Sequence, residues 1–393
     1  MTISIIGTGH TPFGRLDESL YELLENAGKE ALESSGVSGK DIGRIFVANY
    51  SAGSFNNQEH LGPYSLEISE DLKYTPAVRI ENACASGSAA IQAAKDVLLS
   101  GAIDYALVVG VEKMTSLDTK GAMKALSKAS YWPTEGAEGM TFPGLFAEFA
   151  KGYKDHYDLS DEELRETLAM IAAKNHQNAT ANDYAQMPWD CNYQEILDLA
   201  DDKNPVIAEP LRLYDCSLIT DGAAAVVLTR TDIAKENDHE AVEIMALSHV
   251  TDSLELAKRS NYEFTAGKMA VKAAYEEAGI TVDDLDFAEV HDCFTIAELL
   301  AYETLGLTED GQGRRAIEEG WTAVDGKLPV NLSGGLKAKG HPVGATGVSM
   351  AALAARQLNG NPIGLAANNP EIGLSFNIGG SAATNYAIVY RKI

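Results

Sequence analysis

The chain is poor in cysteine, in positive charge and in long apolar runs. Only four cysteines occur in 393 residues, Cys84, Cys191, Cys216 and Cys293, with no CxxC pair and no regular spacing. That scarcity excludes a disulfide framework and the usual zinc motifs, so no metal is expected. Lys and Arg total 31 against 57 Asp and Glu, a net charge of −26. So acidic a chain is repelled by nucleic acid and by an anionic membrane, and neither is expected as a partner. The longest apolar runs, such as YALVVGV at 105–111, have strand length and fall far short of the roughly 20 residues that span a bilayer. MTISIIGTGHTPFG at the start shows no signal-peptide pattern, and YRKI at the end matches no address tag. A reduced, cytoplasmic enzyme is expected.

What is present is enough for a large core: 45% apolar residues, 22% charged and 35 glycines, over a length that suits two or three domains. An internal repeat appears at an offset of 243 residues, matching AGKEALESSGVSGKDIGRIFVANY (27–50) with VKAAYEEAGITVDDLDFAEVHDCF (271–294). Ala31 pairs with Ala274, Gly36 with Gly279, Asp41 with Asp284, Ile42 with Leu285 and Val47 with Val290. Each copy reads as an amphipathic helix stopped by Gly, a short loop with Asp, then a buried strand. The expected architecture is two homologous α/β halves with mixed sheets. The divisions are a first half at 1–115, a loop domain inserted at 116–220, the last strand of that half with its crossover at 221–245, and a second half at 246–393. The stretch 160–179 opens with Ser160 and Glu163 in capping-box spacing and is expected to be helical. The stretch 131–144 (YWPTEGAEGMTFPG) is expected to be irregular, in an insertion that forms a lid over the site.

Three segments concentrate chemistry: ENACASGSAA with Cys84, EVHDCFTIAE with His291, Asp292 and Cys293, and NLSGGLKAKGHPVGATG with His341. Cys84 precedes a run of small residues that reads as the start of a buried helix, where free N–H groups favour a thiolate. A second thiol, two imidazoles and a nucleophilic Cys are the parts of covalent acyl transfer by Cys–His activation. Asp292 reads equally as an orienting group or a cap. Gly340, Gly344 and Gly347 imitate a dinucleotide loop but follow no strand in the required register. Cys191 and Cys216 read as structural.

With these motifs, and with DGAAAVVL (221–228) and GGLKAKGHPVGATG (334–347), the chain resembles the thiolases over nearly its whole length. HDCF (291–294) replaces the Asn-Glu-Ala-Phe motif of many members. Asn377, in FNIGGSAA, stands where many carry a second cysteine. Both features resemble the sterol-carrier-type and archaeal members. The resemblance implies a five-layered αβαβα fold of two halves with an inserted loop domain, in a homodimer or homotetramer. It implies acyl-CoA and CoA as substrates, with no cofactor, and acetoacetyl-CoA thiolase activity, condensing two acetyl-CoA. The alternatives are a degradative 3-ketoacyl-CoA thiolase for longer or branched chains, and a non-catalytic acyl-CoA-holding or scaffold subunit. A complex with HMG-CoA synthase and a small bridging protein is a further implied partner.

Carried over by residue, the resemblance makes Cys84 the acylated nucleophile, His341 its base and Cys293 the acid/base at the α-carbon. His341 and His291 would hold the enolate oxygen, and the backbone N–H groups of Cys84 and Gly379 the tetrahedral oxyanion. Met114, Phe142 and Phe146 read either as an acyl or pantetheine channel or as core. Lys151, Lys154, Lys174, Arg165 and Arg212 are candidates for the CoA phosphates, each readable also as a solvated surface charge.

Overall fold

The computed structural model describes residues 2–393. The first half runs β1 (Ile3–His10), α1 (Leu20–Ser35), β2 (Ile42–Ala48), β3 (Ala77–Ile80), α2 (Ser86–Leu99) and β4 (Tyr105–Lys113). An insertion carrying α3 (Thr119–Leu126), α4 (Phe142–His156) and α5 (Asp161–Ala179) separates β4 from β5 (Asp221–Arg230). The second half runs β6 (Val242–Thr251), α6 (Thr265–Ala278), β7 (Phe287–Val290), α7 (Thr295–Thr304), α8 (Thr346–Leu358), β8 (Ile372–Gly379) and β9 (Thr384–Lys392).

The strands are ordered β3-β2-β4-β5-β1-β6-β9-β8-β7. Read outward from the centre, β1-β5-β4-β2 in one half answers β6-β9-β8-β7 in the other, so the duplication seen in the sequence is a duplication of topology. The join is narrow: β1 and β6 pair antiparallel over Ile3–Ile5 against Val242–Ile244. Where the first half has β3 beside β2, the second has only a parallel bridge of Ala288 to Val330. The matched glycines Gly36 and Gly279 both end their helices in the left-handed conformation, at φ 67 and 71, as a C-terminal glycine stop requires.

Residue alternation on the central strands separates the layers. Ala223, Ala225 and Val227 of β5 face α1 in one apolar cluster; Ala224, Val226 and Leu228 face α2 and α8 in another. On the far side, β6 and β9 pack on α6. The order α1, first sheet half, α2 with α8, second sheet half, α6 is the five-layered arrangement. A strand buried on both faces needs apolar residues at every position, which is why β5 reads DGAAAVVLTR without polar alternation.

The expected helix at 160–179 is α5, with the Ser160–Glu163 capping box formed. The irregular stretch ends earlier than expected. Phe142 begins α4, with Thr141 as its N-cap and Pro143 in its first turn, where the missing N–H costs nothing. Among the described residues no helix is long and apolar enough to cross a membrane.

At the centre, α2 and α8 cross with their backbones nearly touching at Gly87 and Gly347. A Cβ on Gly87 would lie 2.4 Å from Val348 N; one on Gly347 would lie 2.4 Å from Ser88 N and 2.6 Å from Asn377 Oδ1. Gly347→Ala should therefore push the helix starts apart. The overpacking should cost about 1–3 kcal/mol, and an ångström-scale displacement of the two site loops about a hundredfold in kcat. Thermal melting together with steady-state kinetics checks this; a variant with unchanged turnover contradicts the geometry.

Candidate active site

Cys84 lies two residues ahead of α2. The backbone before it is bent by Ala83, which holds φ 51, a left-handed conformation costing a non-glycine residue about 1–2 kcal/mol. Three contacts hold the bend: Ala83 N–H donates to Glu81 Oε1 (2.7 Å), Ser86 Oγ donates to Ala83 O (2.6 Å), and Asn82 N–H donates to Ser86 Oγ (2.8 Å). The thiol is thereby turned towards α8 and the end of β7.

His341 arrives on the loop before α8. Its backbone N–H donates to Thr220 Oγ1 (3.1 Å), and its Nδ1 meets Thr346 Oγ1 at 2.7 Å. With the Thr346 hydroxyl turned to the Pro342 carbonyl (3.1 Å), Nδ1 carries the proton and Nε2 keeps its lone pair. His291 stands at the end of β7, its ring edge-on to His341 with centroids 4.9 Å apart. Cys84 Sγ and one nitrogen from each of these two rings all lie within 4.8 Å of one another.

Cys293 follows on the same strand end and sits two residues ahead of α7, as Cys84 does ahead of α2. Cys84, Cys293 and His341 line one cavity, walled mainly by apolar side chains including Met114, Met123, Leu126, Phe142 and Val343. The cavity is walled on one side by the insertion.

Burial sets the protonation states. It pushes the Cys84 thiol up to about 12, opposed chiefly by the Gly380 N–H that faces it. It also pushes the Cys293 thiol well above its ordinary value, with the neighbouring Cys84 adding to the shift. Burial and the Lys339 charge lower His341 to about 3, and burial with His341 holds His291 well below the usual imidazole range. At neutral pH the site is a neutral thiol beside neutral imidazoles. The helix start, which favours the thiolate, is outweighed here by burial. A helix N-terminus contributes about 0.3–1 kcal/mol, too little to offset desolvation of a buried anion.

A neutral thiol, a base with a free lone pair and a second thiol around one apolar cavity, with a second imidazole against the first two, are the equipment for acyl transfer through cysteine. Residues 3–232 match the thiolase N-terminal domain, and residues 248–392 the thiolase C-terminal domain-like family. The chain belongs to the thiolase family. It is 39% identical over 392 residues to the acetyl-CoA acetyltransferase of Methanothermobacter thermautotrophicus, covering 99% of each chain. It is 42% identical over 352 residues to that of Methanocaldococcus jannaschii, covering 88% of this chain and 87% of the relative. The solved acetyl-CoA acetyltransferase of Syntrophomonas wolfei superposes with a TM-score of 0.74 at 19% identity, over 100% of this chain and 99% of that one.

In this thiolase Met114 and Phe142 line the cavity, whereas Phe146 is fully buried behind it, stacked on Phe294 at 4.5 Å. Gly379 ends β8 opposite Thr384 and lies against the Cys84 loop, where a Cβ on it would come within 2.7 Å of the Asn82 carbonyl oxygen; the next residue, Gly380, borders the cavity. Lys174 is no phosphate ligand. It is buried, with Nζ 2.5 Å from Glu298 and 2.8 Å from the Val330 carbonyl. Arg212 is half-buried and is held by exposed Asp201 (2.7 Å) and the Asn204 carbonyl (2.8 Å). Lys151 pairs with Glu148, Lys154 with Asp161, and Arg165 with the Leu197 carbonyl.

Asp292 proves to be an anchor: it accepts the Leu336 and Lys337 N–H groups and the Asn175 amide, tying β7 to the loop that carries His341. Several contributors escaped the sequence reading. Cys216 also borders the cavity, its thiol donating to the Arg212 carbonyl at 3.3 Å. Lys339 is fully buried beside His341, betrayed only by two lysines (337 and 339) in a loop of small residues. Glu112, buried and raised to about 7 by burial, accepts the Gly344 N–H at 3.1 Å and steadies the same loop. On α3, beside cavity-lining Met123, Lys120 and Lys124 are exposed, with no carboxylate within 4.0 Å among the described residues. Their spacing with Lys128, at i, i+4 and i+8, was the available signal.

Because Cys84 is a neutral thiol, its alkylation by iodoacetamide in the absence of substrate should quicken about tenfold per pH unit from pH 7 to 10, as the thiolate fraction does below a raised pKa. A plateau reached by pH 7 in the rate of inactivation would instead report a thiolate–imidazolium pair.

Proposed function

We propose that this thiolase is an acetoacetyl-CoA thiolase, joining two acetyl-CoA to acetoacetyl-CoA and CoA, reversibly, through acetyl-Cys84. The observation that carries the proposal is the meeting of Cys84, His341 and His291 within 4.8 Å, with Cys84 and His341 lining a cavity shared with Cys293. Cys84 Sγ attacks the thioester carbonyl as its proton passes to His341 Nε2. The C–S bond to CoA breaks, and the CoA sulfur leaves with the Cys293 proton while His341 keeps the proton of Cys84. The tetrahedral oxyanion sits against the N–H groups of Cys84 and Gly379, with Gly380 beside them. Cys293 exchanges a proton with the α-carbon of the second acetyl-CoA, and His291 and His341 hold the enolate oxygen. In condensation the Cys293 thiolate so formed takes the α-proton, the enolate carbon attacks acetyl-Cys84, and the expelled Cys84 thiolate recovers its proton from His341. In cleavage, by microscopic reversibility, the Cys293 thiol donates. The thioester enolate is the least stable species on the route, which is why it needs an acid/base and an oxyanion site together.

Two relatives named acetyl-CoA acetyltransferase, at 39% and 42% identity, support the short acyl chain. The four free thiols support a reducing, cytoplasmic setting. The edge strand β3, with exposed Val78 and an unpaired outer side, supports pairing with a second copy into a homo-oligomer.

The test is thiolysis of a 3-ketoacyl-CoA series by the unmodified enzyme and two variants. Preference should fall steeply beyond acetoacetyl-CoA; a flat or rising profile with chain length points to a degradative thiolase. Cys84→Ala should form no acyl-enzyme by mass spectrometry. Cys293→Ala should acylate yet lose condensation by a factor of about 100 to 10,000, the range of a positioned acid/base. Normal condensation by Cys293→Ala removes it from the mechanism.

The same reading gives the CoA phosphates to Lys120 and Lys124. Lys120→Glu/Lys124→Glu should raise KM for acetoacetyl-CoA about tenfold, with a penalty that shrinks in high salt. With the N-acetylcysteamine thioester, which has no phosphates, KM should not move; an equal rise for both substrates refutes the assignment.

A further inference from the structure

Asn377 is buried on β8, and its amide touches three parts of the site at once. Oδ1 accepts from Ser88 Oγ at 2.7 Å; Nδ2 donates to the Cys84 carbonyl at 3.3 Å and lies 2.9 Å from His291 Nδ1. The orientation of the amide follows from its partners. The Cys84 carbonyl only accepts, so the –NH₂ side must face it, and Oδ1 falls to the Ser88 hydroxyl, which donates. An amide nitrogen has no lone pair to offer, so the His291 Nδ1 beside it must be the unprotonated nitrogen of the ring.

We propose that Asn377 is a positioning residue that holds His291 as the neutral tautomer with its proton on Nε2, and locks that choice to the backbone of Cys84. The proposal rests on the acyl-transfer reading above, in which His291 must donate a hydrogen bond to the enolate oxygen. A histidine in a buried site has three available states, and only one of them is a neutral ring that donates from the edge away from Asn377. The opposite tautomer would set an N–H of His291 against the –NH₂ of Asn377, leaving a buried donor without an acceptor. The imidazolium would do the same and would add an unpaired charge. Burial and the neighbouring His341 disfavour that charge as well. His341 is fixed in the complementary sense by Thr346, proton on Nδ1 and lone pair on Nε2. Two adjacent imidazoles are thus set to opposite tasks, one to take the Cys84 proton and one to give a hydrogen bond. The same amide group reaches the nucleophile's own carbonyl, so the donor and the nucleophile are spaced by one side chain.

Nitrogen-15 histidine spectra of the intact enzyme at pH 7, with His291→Gln to assign the signal, read the tautomer directly. The expected result is an unprotonated Nδ1 and a protonated Nε2 on His291. A protonated Nδ1 overturns the proposal, whatever any variant does. Asn377→Asp presents an acceptor in place of the donor and should move the proton to Nδ1. Condensation should then fall about a hundredfold, the usual cost of losing one oxyanion donor, and further than exchange of CoA into acetyl-CoA, because that half-reaction passes through no enolate. Unchanged ring protonation in Asn377→Asp, or an equal loss of both activities, also overturns it. Should the unmodified enzyme neither exchange nor condense while showing the expected tautomer, the acyl-transfer reading fails and the pairing of Asn377 with His291 stands.

Discussion

The close crossing of α2 and α8 at Gly87 and Gly347 is the contact on which the site depends. Each helix is preceded by a loop carrying a reactive group, Cys84 on one side and His341 on the other. Residues 82–86 and 340–346 are brought together only because no side chain separates the two helix starts. Asn377 reaches into the same crossing from β8 and hydrogen-bonds Ser88 of α2. The duplicated fold supplies two similar helices, and two glycines let them approach to backbone contact. A methylene at either position forces a shift, because interiors packed to crystal density have no slack to absorb one.

Around that crossing the reacting groups themselves are uncharged, with Glu112 and Lys339 buried close by. Another set of buried ionic groups clusters behind β7. There Lys174 compensates Glu298, Asp292 is held by two backbone N–H groups, and Asn175 and Asn331 donate to Glu298. Removing one partner from such a cluster strands a buried charge, so its members are structural in effect even though their residue types resemble ligands. The cavity side is different in kind: neutral thiols, neutral imidazoles and apolar walls. A dry, uncharged site strengthens each hydrogen bond made to a developing oxyanion, and Lys339 contributes from behind by keeping His341 unprotonated.

Much of this was legible in the sequence. Helix stops at Gly36 and Gly279, the capping box at Ser160 and the strand runs at 105–111 and 223–230 are local signals, and each formed as expected. The placement of Cys84 before a helix of small residues was legible for the same reason. The errors fell on residues whose surroundings come from distant parts of the chain. Lys174 looked like a surface cation because its partner, Glu298, lies 124 residues away in sequence. Phe146 has a channel residue's character, but Phe294 stands between it and the cavity.

The sequence by itself determined the duplicated α/β halves and the chemical parts of the site, because periodicity, capping and glycine stops act over a few residues. Only the tertiary structure decided the state of those parts. It made Cys84 a neutral thiol, since desolvation depends on everything that packs around a group. It gave His291 and His341 opposite proton positions, because each ring's tautomer is set by the single partner that the fold places against its Nδ1, Asn377 for one and Thr346 for the other.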